Sequence, residues 1–439
     1  MELPVFTIIG RPNVGKSTLF NRIVKRRKAI VSPEPGMTRD RNYEVVDFFD
    51  KNFLLVDTGG FTESVVDPFN NLIKSQIFES LKESDVLLFV VDGIDGILND
   101  DYEIAKMARE SKVPTVLVMN KSDANVSQYN ISDFYKLGFD EPQIVSAEHS
   151  KGIESMLEKA FSFTNEINDE YVDENEIGVS ILGRANVGKS SLLNHLIQKN
   201  RSLVSDIPGT TRDPIDSFCY RGDHIYRFID TAGIRKKSRK SISKNEVISM
   251  MFSFRSIYRS DLCILMIDAK DGPSTIDSQI ASQIVESGKS CLIAINKWDL
   301  LEKETKTFNE MVLDIREKLP QMRFAPILSI SALTGLRCEK LFDLIHTSID
   351  ASKQRISTSI LNEHLKKWTD SHPPPYDHRG KRTPMLYATQ ISTQPPHFVF
   401  FLGKMKKSFF TQYSRYLENR IRDDFDFIGS SIRVTFRSR

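Results

Sequence analysis

Only four of the 439 residues are cysteine, Cys219, Cys263, Cys291 and Cys338, and none stands in C-x-x-C spacing, so no cysteine framework organises the chain. Three of them fall in or near predicted strands, where a free cysteine serves as a small apolar residue; a reducing cytoplasm is the expected compartment. Long hydrophobic runs are missing as well. The longest, such as Val86 to Val91, fall far short of the roughly 18 residues a bilayer-spanning helix needs, so no membrane segment is expected. The opening Met1-Glu2-Leu3-Pro4 has no basic stretch and does not read as a secretion signal. Net charge is slight, at +2, but it is unevenly placed. From Ala351 onward Lys and Arg outnumber Asp and Glu by 16 to 7, which leaves 44 against 51 for the residues before it. A basic module tethered to acidic ones is expected to meet a polyanion.

What the chain has is length and repetition. Its 439 residues suit about three domains, and 40% hydrophobic with 27% charged residues is a globular composition. Gly10-Arg11-Pro12-Asn13-Val14-Gly15-Lys16-Ser17 fits G-x-x-x-x-G-K-[ST], and Gly183-Arg184-Ala185-Asn186-Val187-Gly188-Lys189-Ser190 repeats it. Backbone N–H groups of such a loop cradle phosphates, the lysine neutralises them and the hydroxyl meets a magnesium ion. Each copy follows an apolar strand (Val5 to Ile9; Gly178 to Leu182) and precedes a helical run (Leu19, Phe20, Ile23; Leu192, Leu193, Leu196, Ile197).

The first unit alternates strands and helices, with strands expected at Val5 to Ile9, Phe53 to Val56, Val86 to Val91, Thr115 to Met119 and Gln143 to Val145. That order predicts an α/β fold with a mainly parallel sheet, whose ligands sit at the carboxyl ends of the strands. Asp57-Thr58-Gly59-Gly60 has the D-x-x-G form, in which the aspartate holds the magnesium shell and Gly60 senses a γ-phosphate. Thr38, in Gly36-Met37-Thr38-Arg39-Asp40, is the expected magnesium and γ-phosphate contact of a mobile switch. Asn120-Lys121-Ser122-Asp123 has the N-K-x-D form. A carboxylate at Asp123 can accept both N1–H and the exocyclic amine of guanine; adenine offers no such pair, so GTP is selected over ATP. Ser146-Ala147 is placed to present a backbone N–H to the guanine oxygen.

Six acids between Glu166 and Glu176 mark a self-repelling linker. Beyond it the first unit recurs. Gly10, Thr38 and Asp57 return 173 residues later as Gly183, Thr211 and Asp230, and Asn120 returns after 176 as Asn296. The matching pieces are Pro208-Gly209-Thr210-Thr211-Arg212-Asp213, Asp230-Thr231-Ala232-Gly233, Asn296-Lys297-Trp298-Asp299 and Ser331-Ala332, with strands at Tyr226 to Ile229, Leu262 to Ile267 and Cys291 to Ile295. A whole domain has been duplicated.

Many small GTPases place a glutamine after D-x-x-G to orient the attacking water; this chain has Phe61 and Ile234. Unaided turnover is therefore expected to be slow, on the order of 10⁻⁴ to 10⁻² per second. Asn13 and Asn186 offer side-chain oxygens beside the phosphates, and either they help hold a potassium ion in place of an arginine finger or they brace their own loops. The basic run Arg235-Lys236-Lys237-Ser238-Arg239-Lys240 reads equally as a solvated loop or an RNA contact.

In the tail, Ile356, Ile360, Leu361, Leu365 and Trp368 fall on helical spacing, followed by His372-Pro373-Pro374-Pro375 and Arg379-Gly380-Lys381-Arg382. Extended stretches at Met385 to Ile391 and His397 to Leu402 lead to a helix carrying Phe409, Tyr413, Tyr416, Leu417 and Ile421, and Ser431 to Phe436 closes as a strand. The order α-β-β-α-β suits a KH-like fold without the G-x-x-G clamp, since Gly403-Lys404-Met405-Lys406 lacks a second glycine. The aromatic residues read as core.

With these motifs in hand, the chain resembles the EngA/Der family of double-domain GTPases over essentially its whole length. In the tail the likeness extends to Pro384-Met385-Leu386-Tyr387-Ala388-Thr389-Gln390, Pro395-Pro396 and Arg415-Tyr416-Leu417-Glu418-Asn419-Arg420-Ile421-Arg422. It departs at Phe401-Leu402-Gly403, where an asparagine is usual, and at Gly429-Ser430-Ser431-Ile432-Arg433, which lacks the usual proline. The resemblance implies GTPase domains at 1–165 and 177–350, joined by the acidic linker 166–176 and followed by a KH-like domain at 351–439. It also implies a GTP-hydrolysing switch in assembly of the large ribosomal subunit, and supports the glutamine-free, potassium-assisted reading. Lys16 and Lys189 would then stabilise charge on the β- and γ-phosphates, Ser17, Ser190, Thr38, Thr211, Asp57 and Asp230 would serve magnesium, and Gly60 and Gly233 would report the γ-phosphate. The expected ligands are GTP or GDP at two sites, magnesium and potassium; the expected partners are the large subunit and its RNA, with activating proteins, and the chain is expected to be a monomer. The alternative is an RNA-binding scaffold whose nucleotides are structural.

Overall fold

The computed structural model describes residues 3–27, 43–49, 51–57, 81, 83–121, 131–164, 176–199, 216–229, 246–301, 307–375, 384–403 and 411–438. Backbone contacts divide the chain into one unit of residues 1–170 with 243–254 and a second of 171–242 with 255–439.

The first unit is built on a six-stranded sheet of β1 (Val5–Ile9), β2 (Tyr43–Phe48), β3 (Lys51–Asp57), β4 (Val86–Asp92), β5 (Thr115–Asn120) and β6 (Gln143–Ile144), in the order β2-β3-β1-β4-β5-β6. Only β2 runs antiparallel; the remaining pairs are parallel, with Val5 beside Leu54 and Phe6 beside Val86. Parallel strands need crossovers, and helices supply them on both faces. Helices α1 (Lys16–Arg27) and α3 (Ile153–Phe161) bury Leu19, Phe20, Ile23, Met156 and Leu157 against Phe6, Ile8, Leu88 and Val90, while α2 (Asn99–Ser111) buries Ile104, Ala105 and Ala108 against Leu87, Phe89 and Val91. Covered on both sides, β4 is apolar at every position up to its terminal Asp92.

The second sheet repeats this plan. It contains β7 (Glu176–Leu182), β8 (Ser217–Arg221), β9 (His224–Phe228), β10 (Leu262–Asp268), β11 (Ser290–Asn296) and β12 (Ile327–Ser329), ordered β8-β9-β7-β10-β11-β12. Helices α4 (Lys189–Lys199) and α8 (Lys340–Lys353) cover one face; α5 (Glu246–Arg259), α6 (Thr275–Ser287) and α7 (Thr307–Lys318) contribute to the other. The antiparallel edge strands β2 and β8 were not among the strands expected from sequence. Each is short and joins its neighbour through a tight hairpin, in the second case at Gly222, whose φ of +60° suits the turn. Glu176, counted in the acidic linker, is the first residue of β7 and accepts from Arg227 Nε at 2.6 Å. Arg227 also reaches Asp216, 3.2 Å away, which Arg259 approaches at 2.8 Å. Burial pushes the Arg227 pKa down, but Glu176 and Asp216 outweigh it and the net shift is upward.

The same unit ends in the expected α-β-β-α-β order: α9 (Thr358–Ser371), β13 (Met385–Thr393), β14 (Pro396–Leu402), α10 (Thr411–Phe425) and β15 (Arg433–Ser438). Phe398, Phe400, Leu402, Trp368, Tyr413, Leu417 and Ile421 share its core. Two boundaries move. Ile356 precedes the helix, because Ser357 caps it by accepting from the Ile360 N–H at 3.4 Å. The last strand begins at Arg433 instead of Ser431, because residues 429–431 dock on the second sheet. Gly429 O accepts the Cys291 N–H at 2.7 Å, Gly429 N donates to Phe324 O at 3.0 Å, and Ser431 Oγ donates to Val285 O at 3.4 Å. The KH-like module and the second P-loop domain thus share backbone hydrogen bonds. Among the described residues no helix is long and apolar enough to cross a membrane.

Candidate functional site

Both nucleotide sites grow from the carboxyl ends of the central strands. In the first, β1 runs into Gly10 and the loop closes into α1 at Lys16. Asn13 adopts φ +66° and its counterpart Asn186 φ +62°, and both side chains are exposed. Gly15 and Gly188 have φ of +93° and +105°, and a Cβ on either would collide with the amide of Asn120 or Asn296. Glycine is required there because the base-reading turn packs directly on the phosphate loop.

Those two asparagines tie each site together. Asn120 Nδ2 donates to Val14 O at 2.9 Å while its Oδ1 accepts the Ala147 N–H at 3.0 Å. Asn296 does the same with Val187 O and Ala332 N, both at 2.8 Å. Each is 2% exposed, so two loops distant in sequence are fixed by one buried amide. Ser146 N donates to Lys151 O and Ser331 N to Leu336 O, each at 3.1 Å.

The lysines of the phosphate loops fold over the loop mouth. Lys16 Nζ donates to Gly10 O and Arg11 O at 2.9 and 2.8 Å, and Lys189 Nζ to Gly183 O and Arg184 O at 2.6 and 2.7 Å. Ser17 Oγ donates to Asp57 Oδ2 at 2.8 Å. A hydroxyl beside a carboxylate at a helix N-terminus is a set of hard oxygens of the kind magnesium takes, so these residues fit that ion. Arg11 turns away from the loop mouth and pairs with Asp95 at 3.1 Å and Asp101 at 3.4 Å; Arg184 pairs with Asp271 at 2.7 Å.

Sequence reasoning missed Asp92 and Asp268. Each closes a central strand and holds the lysine of the base-reading turn, Lys121 or Lys297, at 2.6 Å. Burial pushes both carboxyls up, but the lysine and neighbouring backbone N–H groups outweigh it and hold them below the usual carboxylate value. The lysines sit at φ +64°, and the ion pair fixes the end of each side chain against the strand's terminal carboxylate. The available signal was an aspartate ending an apolar strand in both halves, 176 residues apart. Trp298 sends its ring into the core, 5.9 Å from Phe308; its backbone N–H donates to Ile330 O at 3.1 Å, and Asp299 follows in a short 3₁₀ turn.

The remaining candidates lie outside the described residues: Thr38, Thr58, Gly59, Gly60, Phe61, Ser122 and Asp123 in the first half, Thr211, Asp230, Thr231, Ala232, Gly233 and Ile234 in the second. So do the basic run from Arg235 to Lys240 and the turn from Arg379 to Arg382.

A family model described as 50S ribosome-binding GTPase matches residues 5–121 and again 178–297. A second, described as the C-terminal KH-domain-like module of EngA bacterial GTPase enzymes, matches residues 355–437. Over its full length the chain is similar to GTPase Der of Halothermothrix orenii, 42% identical and covering 100% of both chains. It is 43% identical to GTPase Der of Caldanaerobacter subterraneus subsp. tengcongensis, covering 100% of this chain and 99% of that one. It is 41% identical to GTPase Der of Acetivibrio thermocellus, with the same coverage.

Proposed function

The chain belongs to the Der (EngA) family of GTPases, and from that membership we propose that it is a GTP-hydrolysing switch that acts in maturation of the large ribosomal subunit. One observation carries the reading: two phosphate loops, each locked to its own base-reading turn by a buried asparagine, in a chain that ends in a basic KH-like module.

Lys16 and Lys189, poised over the loop mouths, exchange their carbonyl partners for β- and γ-phosphate oxygens when nucleotide enters. Ser17 and Ser190, with Thr38, Thr211, Asp57 and Asp230, would hold magnesium, which would supply positive charge against that of the phosphates. Gly60 and Gly233 report the γ-phosphate, and Asp123 and Asp299 read guanine. The side chains of Phe61 and Ile234 cannot hydrogen-bond a water, so this position orients no attacking water as a glutamine would. The exposed amides of Asn13 and Asn186 would supply oxygens for a potassium ion, which would add positive charge at the phosphates. Activating proteins and the ribosomal RNA complete the assembly, and the protein works as a monomer in the cytoplasm.

The test is sedimentation of the purified protein with ribosomal subunits in a non-hydrolysable GTP analogue and in GDP. Co-migration with the large subunit only in the GTP-like state is expected. Equal binding in both states would favour a scaffold with structural nucleotides, and no binding in either would remove the ribosomal role.

A further inference from the structure

The duplicated domains can be compared position by position, and one difference bears on how guanine is held. Arg22 on α1 and His195 on α4 are 173 residues apart, the offset that relates the two phosphate loops. Arg22 Nε donates to Ala147 O at 2.9 Å and its Nη2 donates to Glu148 O. Asn120 holds the N–H of Ala147 from the inside, at 3.0 Å. The peptide units that face the guanine oxygen are thus gripped from both sides, by an amide acceptor on one and a guanidinium fork on the other.

In the second domain the inner grip is the same, Asn296 to Ala332, and among the described residues no outer one is seen. The His195 ring lies against Gly335, close enough that a Cβ there would overlap it, and its buried Nε2 has no hydrogen-bond partner among the described residues. Contact replaces two charge-assisted hydrogen bonds, which are the stronger kind.

We propose that Arg22 is a positioning residue that fixes the guanine-reading loop of the first site, and that the residue at this helical position makes the first site hold guanine nucleotides more firmly than the second. The proposal rests on the reading that both sites take guanine nucleotides. Arg22 works through the loop: both its hydrogen bonds end on loop carbonyls, so its effect falls on the fixed placement of the N–H that meets O6.

In the full-length protein, Asp299→Asn turns the second site away from guanine, so release of a fluorescent GDP reports the first site alone. Arg22→Ala is expected to speed that release about tenfold, the scale of losing hydrogen bonds that order a binding loop. Arg22→Lys, which keeps the charge and one donor, should recover part of it. The preference for GDP over the 2-aminopurine riboside diphosphate, which lacks O6, should shrink in Arg22→Ala. The preference for GDP over IDP, which keeps O6 and lacks only the amine, should stay as it was. In the complementary Asp123→Asn background, His195→Arg should slow release from the second site. Unchanged release in Arg22→Ala overturns the proposal, and so does a loss of the same factor for GDP and the 2-aminopurine nucleotide, which would mark a merely structural arginine. Failure of the Asp299→Asn protein to bind GDP at all would instead overturn the guanine reading.

Discussion

At the scale of single residues, the chemistry of both sites depends on side chains that secure backbone. Asp92 and Asp268 hold the base-turn lysines with carboxyls whose pKa lies below the ordinary 3.8. A carboxyl with a lower pKa in the folded state stabilises the fold at every pH above the unfolded value, and that contribution disappears as pH falls through the folded one. Acid titration followed by circular dichroism should therefore show the contribution of these two groups lost below about pH 4, and Asp92→Asn together with Asp268→Asn should reduce that loss. Asn13 and Asn186 carry a different expectation. GTP turnover should be at least several-fold faster in potassium than in sodium salts, and Asn13→Ala with Asn186→Ala should erase the difference, the scale of a modest electrostatic contribution at a phosphate site; equal rates in the two salts would remove potassium from the mechanism. The phosphate loops and the asparagine and lysine that open each N-K-x-D turn were legible in the sequence because each requires particular residue types at fixed spacing. Arg22 was not, because it meets backbone carbonyls 125 and 126 residues away, and a carbonyl leaves no mark in a sequence.

At the scale of elements, the strands read most easily were those buried on both faces, β1, β4, β5, β10 and β11, whose apolar runs admit little else. Strands β2 and β8 escaped notice because they lie at a sheet edge with one side half-exposed, and their burial neither alternates cleanly nor persists. Ser431 was assigned to the last strand for the opposite reason: it is buried, but against another domain. Gly429 has φ +71°, and a Cβ there would collide with Ser348. Gly429→Ala is accordingly expected to cost about 1–3 kcal/mol in the docking of the KH-like module. Hydrogen exchange should show it as faster loss of protection at Cys291 and Gly429, with GDP release from both sites unchanged.

At the scale of the whole molecule, the duplication was visible through constant offsets, and the uneven charge singled out the tail. Binding of the protein to ribosomal RNA should weaken log-linearly with salt, with a slope of about −0.7 to −0.9 per phosphate contact. Truncation before the KH-like module should abolish most of that slope if its basic excess makes the contacts, and an unchanged slope would place them in the GTPase domains. The repetition also creates a hazard during synthesis, because two sheets of identical strand order emerge from one chain and a strand of either could seek a place in the other. The pairing of Glu176, Arg227, Asp216 and Arg259 would disfavour that exchange. By the common offset, the first sheet has Leu3, Leu54 and Tyr43 where the second has Glu176, Arg227 and Asp216, and Leu54 is completely buried. A β9 that strayed into the first sheet would bring a guanidinium into that apolar position with neither carboxylate beside it, at a cost of several kcal/mol. The charges that join β7 and β9 to the residue before β8 and to the end of α5 would thereby favour each strand's entry into its own domain.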